Sequence, residues 1–356
     1  MANEPTNSPR RWRPALEAVA IPVAAVLVAL VIFGLFCATQ GAAPWLVYSA
    51  INRAAFGSWY SFQNTLIRTA PLMLTALCTA LPARLGLVVI GNEGALVIGG
   101  LTATAAGLAV AAAPPVVVLG IMMLAGMVGG GFWIMLVGLM HYKRGVNETI
   151  SSLLMNYIAI ALLNHLVNGP MRDPSSLNKP SSYPIAEKNM LPPIGGSHVH
   201  YGLIFGIVMC VLAWLLMEHT TFGFKVRIIG GNVRAGRMAG LPVVGLGLIT
   251  CFLAGACAGL AGMVEVAAVQ GRANESLAAG YGYAGILVAF VARFRGLPII
   301  LVATLLGGIL ASGGILQRQF KLPDATILLF QGMVFLVILY SDSLYGKFKV
   351  FQERAA

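Results

Sequence analysis

The chain alternates between long apolar stretches, most of them about twenty residues, and short breaks marked by charges, glycine or proline. Twenty apolar residues wound as a helix rise about 30 Å, the thickness of a bilayer's hydrocarbon core. Backbone amides in lipid must find partners inside the protein, which leaves helices or closed barrels. The stretches are about twice as long as a barrel strand and lack strict alternation, so they read as helices. The pattern predicts an all-α, polytopic helical membrane protein. About ten spans are expected, near 17–38, 62–83, 85–112, 115–140, 147–167, 200–218, 243–268, 280–293, 297–316 and 324–341. Residues 1–16 and 342–356 then form two tails, and the polar segments 168–199 and 219–242 lie between spans.

An even number of spans puts both tails on one side, and the charges say which. Only 10% of the residues are charged, against roughly 25% in a soluble domain. With the N-terminus inside, fifteen of the 23 basic residues fall on inner segments, among them Arg84, Lys143, Arg144, Arg293 and Arg295. The other eight, Arg53, Arg68 and Arg272 included, lie outside or near an outer end. This positive-inside bias favours N-in and C-in. The net charge of +11 does not point to nucleic acid, because the basic residues are scattered over span ends.

Arg10, Arg11 and Arg13 precede an apolar stretch longer than a secretory h-region, which reads as an uncleaved first span. The five cysteines sit inside apolar runs without CxxC spacing and read as small packing residues. Trp45, Tyr48, Trp59 and Tyr60 suit lipid-headgroup contact. The stretch 168–199, rich in Pro, Ser and Asn, could cap the outer mouth or receive a delivery protein. Spans two to five begin from outside and spans seven to ten from inside, the arrangement an inverted repeat produces.

The segment 220–243, TTFGFKVRIIGGNVRAGRMAGLPV, holds four basic residues, five glycines and no acid. Asn232 is a favourable N-cap and Gly240 a favourable terminator, enclosing about two helical turns. Gly230 and Gly231 are expected to let the chain turn into that cap, and Arg234 and Arg237 share a face. So short a helix needs something to pack against. An ordinary basic loop is one reading; docking into a groove on another protein is the other.

At these residues the chain resembles the cytoplasmic loop of bacterial ABC-type permeases for nucleosides and simple sugars, T-x-x-G-x-x-x-R-x-x-G-x-N-x-x-A-A-x-x-A-G. Thr220 or Thr221, Gly223, Arg227, Gly230, Asn232, Ala235, Ala239 and Gly240 follow it, while Gly231, Val233 and Gly236 depart from it. GVNETISSLLMNYIA (145–159), QGRANESLAAGYGYAGILVA (270–289) and LGLVVIGNEGALVIGG (85–100) resemble three further elements of that family. Val89, Ala95 and Ala284 stand where the family usually has Asn, Gln and Asp. The resemblance implies a permease subunit whose short loop helix (Gly223, Arg227, Gly230, Asn232, Arg234, Arg237, Ala239, Gly240) couples to a cytoplasmic ATP-binding subunit. It also implies a second permease chain, identical or related, and an external solute-binding protein. ATP and magnesium would be held by the partner ATPase, with no cofactor in this chain. The location implied is the bacterial inner membrane.

Polar groups inside spans are the candidates for a solute path. A central acidic side chain costs about 2.5–3.5 kcal/mol on insertion scales, so Glu93 is not expected to face lipid. Asn92 precedes it, and Gly91 and Gly94 flank the pair, which suggests a broken helix. Glu93 reads equally as a path-lining or gating residue and as a structural hydrogen bond between helices. Glu265 reads as a path residue or as a clamp near the outer end, above Gly255, Gly259 and Gly262, which permit close helix approach. Asn156 and Tyr157 could hydrogen-bond a ribose or base, and Tyr281, Tyr283, Phe132 and Trp133 could stack on one. Asn147 and Glu148 are expected to cap and start the fifth span.

No GxxxxGK[ST], HExxH or nucleophile elbow occurs, so the chain carries no P-loop and no recognisable catalytic constellation. An ion-coupled secondary transporter is the rival reading, since inverted halves and intramembrane carboxylates suit it. A self-sufficient carrier, however, has no need of a capped basic helix at its inner face. The favoured solute is a nucleoside, with a simple sugar or nucleobase as the alternative.

Overall fold

The computed structural model describes residues 12–176, 179–323 and 325–342. The terminal tails fall largely outside that range. The helices, in chain order, are α1 (Trp12–Thr39), α2 (Pro44–Phe56), α3 (Trp59–Ala83), α4 (Asn92–Ala109), α5 (Pro115–Arg144), α6 (Glu148–Asn168) and α7 (Gly202–His219). They continue with α8 (Thr221–Gly231), α9 (Val233–Met238), α10 (Val243–Val264), α11 (Tyr281–Val291), α12 (Gly296–Ala311), α13 (Gly313–Phe320) and α14 (Ala325–Asp342). Two compact units result, one formed by Met1–Arg53 and Ser312–Ala356, the other by Ala54–Ala311.

In the smaller unit α1 lies along α14. Phe33 stacks on Phe330 with ring centroids 4.2 Å apart, and the Tyr48 hydroxyl donates to the Leu30 carbonyl. α1 and α2 meet at a bend of 114°. The stretch 39–60, expected as an outer loop, is therefore mostly helical, and it leaves Trp45 and Trp59 exposed as interfacial anchors would be.

The larger unit holds the candidate site. At its centre α4, α5 and α10 approach so closely that only glycine fits the seam. A Cβ on Gly99 would lie 2.2 Å from Gly259 Cα, one on Gly255 2.1 Å from the Gly130 oxygen, and one on Gly262 1.9 Å from the Leu96 oxygen. Close backbone approach of this kind replaces the hydrophobic drive that lipid does not supply. α10 packs on α4 and α5, and α3 packs on α11 and α12. All five cysteines are buried and free.

Among the described residues six helices are long and apolar enough to cross a bilayer, or seven if the bent pair counts as one span. The expected ten differ for a physical reason. Residues 85–91 are not helical, so the third expected span begins at Asn92. α11 has 11 residues, about 16 Å of helix, too short to cross alone. α11 is thus a half-helix, and both it and the 18-residue α4 are entered through irregular backbone, which membrane proteins tolerate only where protein or an aqueous path supplies the missing hydrogen bonds.

Candidate functional site

α4 and α11 begin beside each other. The first N–H groups of a helix have no partner in the helix and carry partial positive charge. At α11 the Glu93 carboxylate meets them: Gly280 N–H donates to Oε1 at 2.7 Å and Gly282 N–H to Oε2 at 2.6 Å. Glu93 is itself in the first turn of α4 and only 1% exposed. Gly282 is required there, since a Cβ would lie 2.2 Å from the Glu93 nitrogen. One buried carboxylate thus joins the starts of α4 and α11.

Neighbouring helices hold the junction in place. Asn92 Nδ2 donates to the Thr75 carbonyl at 2.9 Å and to Thr79 Oγ1 at 2.8 Å, fastening α4 to α3. Asn156 on α6 accepts from Gly94 N–H and donates to the Ile90 carbonyl, both at 2.8 Å. Two buried polar atoms beside these bonds, Asn92 Oδ1 and Trp133 Nε1, find no hydrogen-bond partner among the described residues. A Cβ on Gly94 would sit 3.0 Å from that indole nitrogen. Phe132 instead points outward and meets Phe252 edge-on.

The aromatic candidates gather at the same junction. Tyr283, 41% exposed, neighbours Asn156 and the more exposed Tyr157. Tyr281 faces both carboxylates, Glu265 and Glu93, and lies within hydrogen-bonding reach of the Arg68 guanidinium. Glu265 is buried and opens a single turn of wider π-type helix, Glu265–Gln270, a distortion frequent at functional positions. All seven residues singled out for the path, Asn92, Glu93, Asn156, Tyr157, Glu265, Tyr281 and Tyr283, therefore lie around one junction. Thr75, Thr79 and Arg68 belong to it as well and were not anticipated. The signal for the threonines is their i, i+4 spacing in a span; for Arg68 it is a guanidinium within one.

The segment expected to dock is differently built from the expectation. Residues 221–231 form α8, and Gly230 and Gly231 are its last turn rather than a flexible entry to the cap. Gly230 serves close approach, since a Cβ there would lie 2.1 Å from the Arg84 oxygen. Gly223 does the same against Met217. Glu218, at the end of α7, pairs with Arg84 at 2.8 Å and with Arg227 at 2.7 Å, while Arg84 Nε donates to the Phe294 carbonyl at 3.2 Å. Asn232 caps α9 as expected, accepting from Arg234 N–H and Ala235 N–H. Gly236 is buried against Ile229, Ala239 closes the last turn, and Gly240 leaves it at φ +71°. Arg234 and Arg237 are exposed, with Met238 beside them 84% exposed. Nearby, Asn147 caps α6 and Glu148 bonds His141 and the Val88 amide.

On the opposite side the segment between α6 and α7 is fastened to residues 267–273. Ser182 N–H donates to Ala273, Ile185 to Gly271 and Leu191 to Ala267, at 2.9, 2.8 and 2.8 Å. Ile185, Leu191 and Val199 are buried beneath it. His200 is 5% exposed, and neither ring nitrogen finds a partner among the described residues. Burial without a counter-charge pushes its pKa down to about 4.

Residues 61–339 match the family described as branched-chain amino acid transport system / permease component. A glucose ABC transporter permease protein of Haloferax volcanii is 32% identical over 345 residues, covering 94% of this chain and 90% of its own. A guanosine ABC transporter permease protein of Bacillus subtilis is 27% identical, with 93% and 95% covered. A nucleoside ABC transporter permease protein of Lactococcus lactis is 26% identical, with 90% and 92% covered. All three are named as permease proteins of ABC transporters, and the six apolar helices of this chain fit a multi-pass membrane subunit. With a family match over most of its length and a relative 32% identical across it, the chain belongs to this permease family of ABC transporters.

Proposed function

We propose that this chain is the translocating subunit of an ATP-driven importer whose solute is a nucleoside. Two permease chains enclose the path, and the α4–α11 junction lines it. The observation that carries this reading is the Glu93 bridge between the starts of α4 and α11, beside polar and aromatic groups from α3, α6, α11 and the end of α10. Two helix starts held by one carboxylate, one of them the half-helix α11, form an arrangement that can open and close as the helices rock.

The drive enters at α8 and α9. Arg234, Arg237 and Met238 offer a basic and apolar face to the ATP-binding subunit, and Gly230 and Arg227 pass its displacement to Arg84. Arg84 leads directly into residues 85–91 and so to Asn92 and Glu93. The guanosine and nucleoside permeases among the relatives support the choice of solute. The glucose relative supports a simple sugar as the second reading. Val89, Ala95 and Ala284, apolar where the resembling family is polar, are all buried, and the first two bracket Asn92 and Glu93 in sequence.

The test is uptake by the reconstituted complex with Arg234→Ala and Arg237→Ala together. The expected result is folded permease with transport per ATP reduced at least about tenfold, on the order of two lost charged contacts. Unchanged coupling would remove the docking assignment.

A further inference from the structure

We propose that Arg68 is a solute-recognition residue, whose guanidinium hydrogen-bonds the vicinal hydroxyls of a sugar ring, free or as the ribose of a nucleoside. The proposal rests on the transport reading and extends it to a residue and a chemical group. It begins with position. Arg68 is nine residues from Trp59, about 14 Å along α3, while Trp59 and Tyr60 are exposed as interfacial aromatics are. The guanidinium is therefore well within the span, and Arg68 is nonetheless exposed. An arginine facing hydrocarbon at such depth is costly, and those that persist face a bundle interior or a water-filled path.

The rest of the arrangement says which path. Arg68 and Thr75 are seven residues apart and share a face of α3. Thr75 donates to the Tyr281 carbonyl at 3.1 Å, so this face looks onto the start of α11. The Tyr281 phenol lies in hydrogen-bonding reach of Arg68, and Glu265 approaches both from the end of α10. A planar five-donor guanidinium next to a carboxylate and a phenol can give and take hydrogen bonds with adjacent hydroxyls at once.

The experiment uses the full complex of this chain with its ATP-binding subunit and solute-binding protein in proteoliposomes. All five native cysteines are buried, so Arg68→Cys places one readable thiol. A membrane-impermeant cationic thiosulfonate should modify it, and saturating guanosine with binding protein should slow the reaction about tenfold, as expected for a site occupied most of the time. A thiol that does not react faces lipid or a sealed interface, and one that reacts unprotected is not at the solute; either result overturns the proposal. Uptake supplies the second arm, with binding protein saturated for each solute. Arg68→Gln should lower guanosine or D-glucose uptake about tenfold, the loss of a charged hydrogen-bond pair, and 2′,3′-dideoxyguanosine uptake less than about twofold. Equal losses would mark a structural partner of Glu265, and no loss would mark a bystander. A wild-type complex that takes up neither guanosine nor D-glucose defeats the transport reading instead, and the thiol reaction still judges position 68.

Discussion

Gly230 in α8 and Arg84 at the end of α3 are in backbone contact, so close that a Cβ on Gly230 would fall 2.1 Å from the Arg84 oxygen. Glu218 spans the same joint, accepting from Arg84 and from Arg227. Force applied to α8 therefore reaches the segment before Glu93 through backbone rather than through flexible side chains. Close-packed joints transmit displacement because they have little room to deform.

Gly230→Ala should break that joint. Overpacking a tight contact costs about 1–3 kcal/mol, and here the obstructing atom is main chain. Thermal unfolding of the complex should shift downward and transport per ATP should fall. Gly231→Ala, with nothing within 4 Å, should leave both unchanged. Equal behaviour of the two variants would rule out the joint.

Glu93→Gln keeps the shape but offers one acceptor oxygen where two N–H groups need acceptors. Leaving one buried N–H facing an amide NH₂ costs about 1–3 kcal/mol. Initial uptake rates should fall more than subunit assembly, measured by gel filtration of the complex. An assembly defect with normal residual uptake would make the residue a structural bridge only.

Gly262→Ala should prevent the α4–α10 seam from closing, since its Cβ would lie 1.9 Å from the Leu96 oxygen. The expected outcome is loss of folded protein in detergent, read by fluorescence-detected gel filtration. Gly120→Ala, at an open position, should express normally. A folded Gly262→Ala protein would show that the seam is looser than described.

His200 makes the outer segment sensitive to acid. Its folded pKa of about 4 lies below the usual value of about 6.5. Between those values the unfolded segment binds more protons than the folded one, so stability rises with pH across the window. The cap should be fully stable above about pH 6.5 and loosen as pH falls toward 4. Hydrogen exchange over residues 182–200 should report the change, and His200→Leu should abolish it. Acid-independent exchange in the wild type would contradict the burial argument.

Much of this was legible in the order of residues. Glu93 between Gly91 and Gly94 announced a broken helix, and Gly255, Gly259 and Gly262 announced a close seam, because both follow from local chemistry. Asn232 and Gly240 framed α9 for the same reason. What escaped was tertiary. Residues 85–91 are apolar enough to be helical, and only contacts from distant residues, Thr79, Glu148, Thr149, Ser152 and Asn156, show why they are not. α11 looked like a short span because hydropathy cannot separate a half-helix from a whole one. Arg68 was assigned to an outer end, since charge counting sorts residues by sequence position and says nothing of which face of α3 they occupy. Glu218 passed unnoticed because its two arginines come from elements 134 and 9 residues away.

The central claim is that the energy for moving solute enters this chain from an ATP-binding subunit at α8 and α9. Proteoliposomes containing the wild-type chain, with and without its ATP-binding subunit and binding protein, give the most direct measurement. Accumulation of labelled guanosine or D-glucose should require ATP and all the subunits, and it should be indifferent to imposed proton or sodium gradients. Accumulation by this chain alone, driven by an ion gradient, would contradict the account.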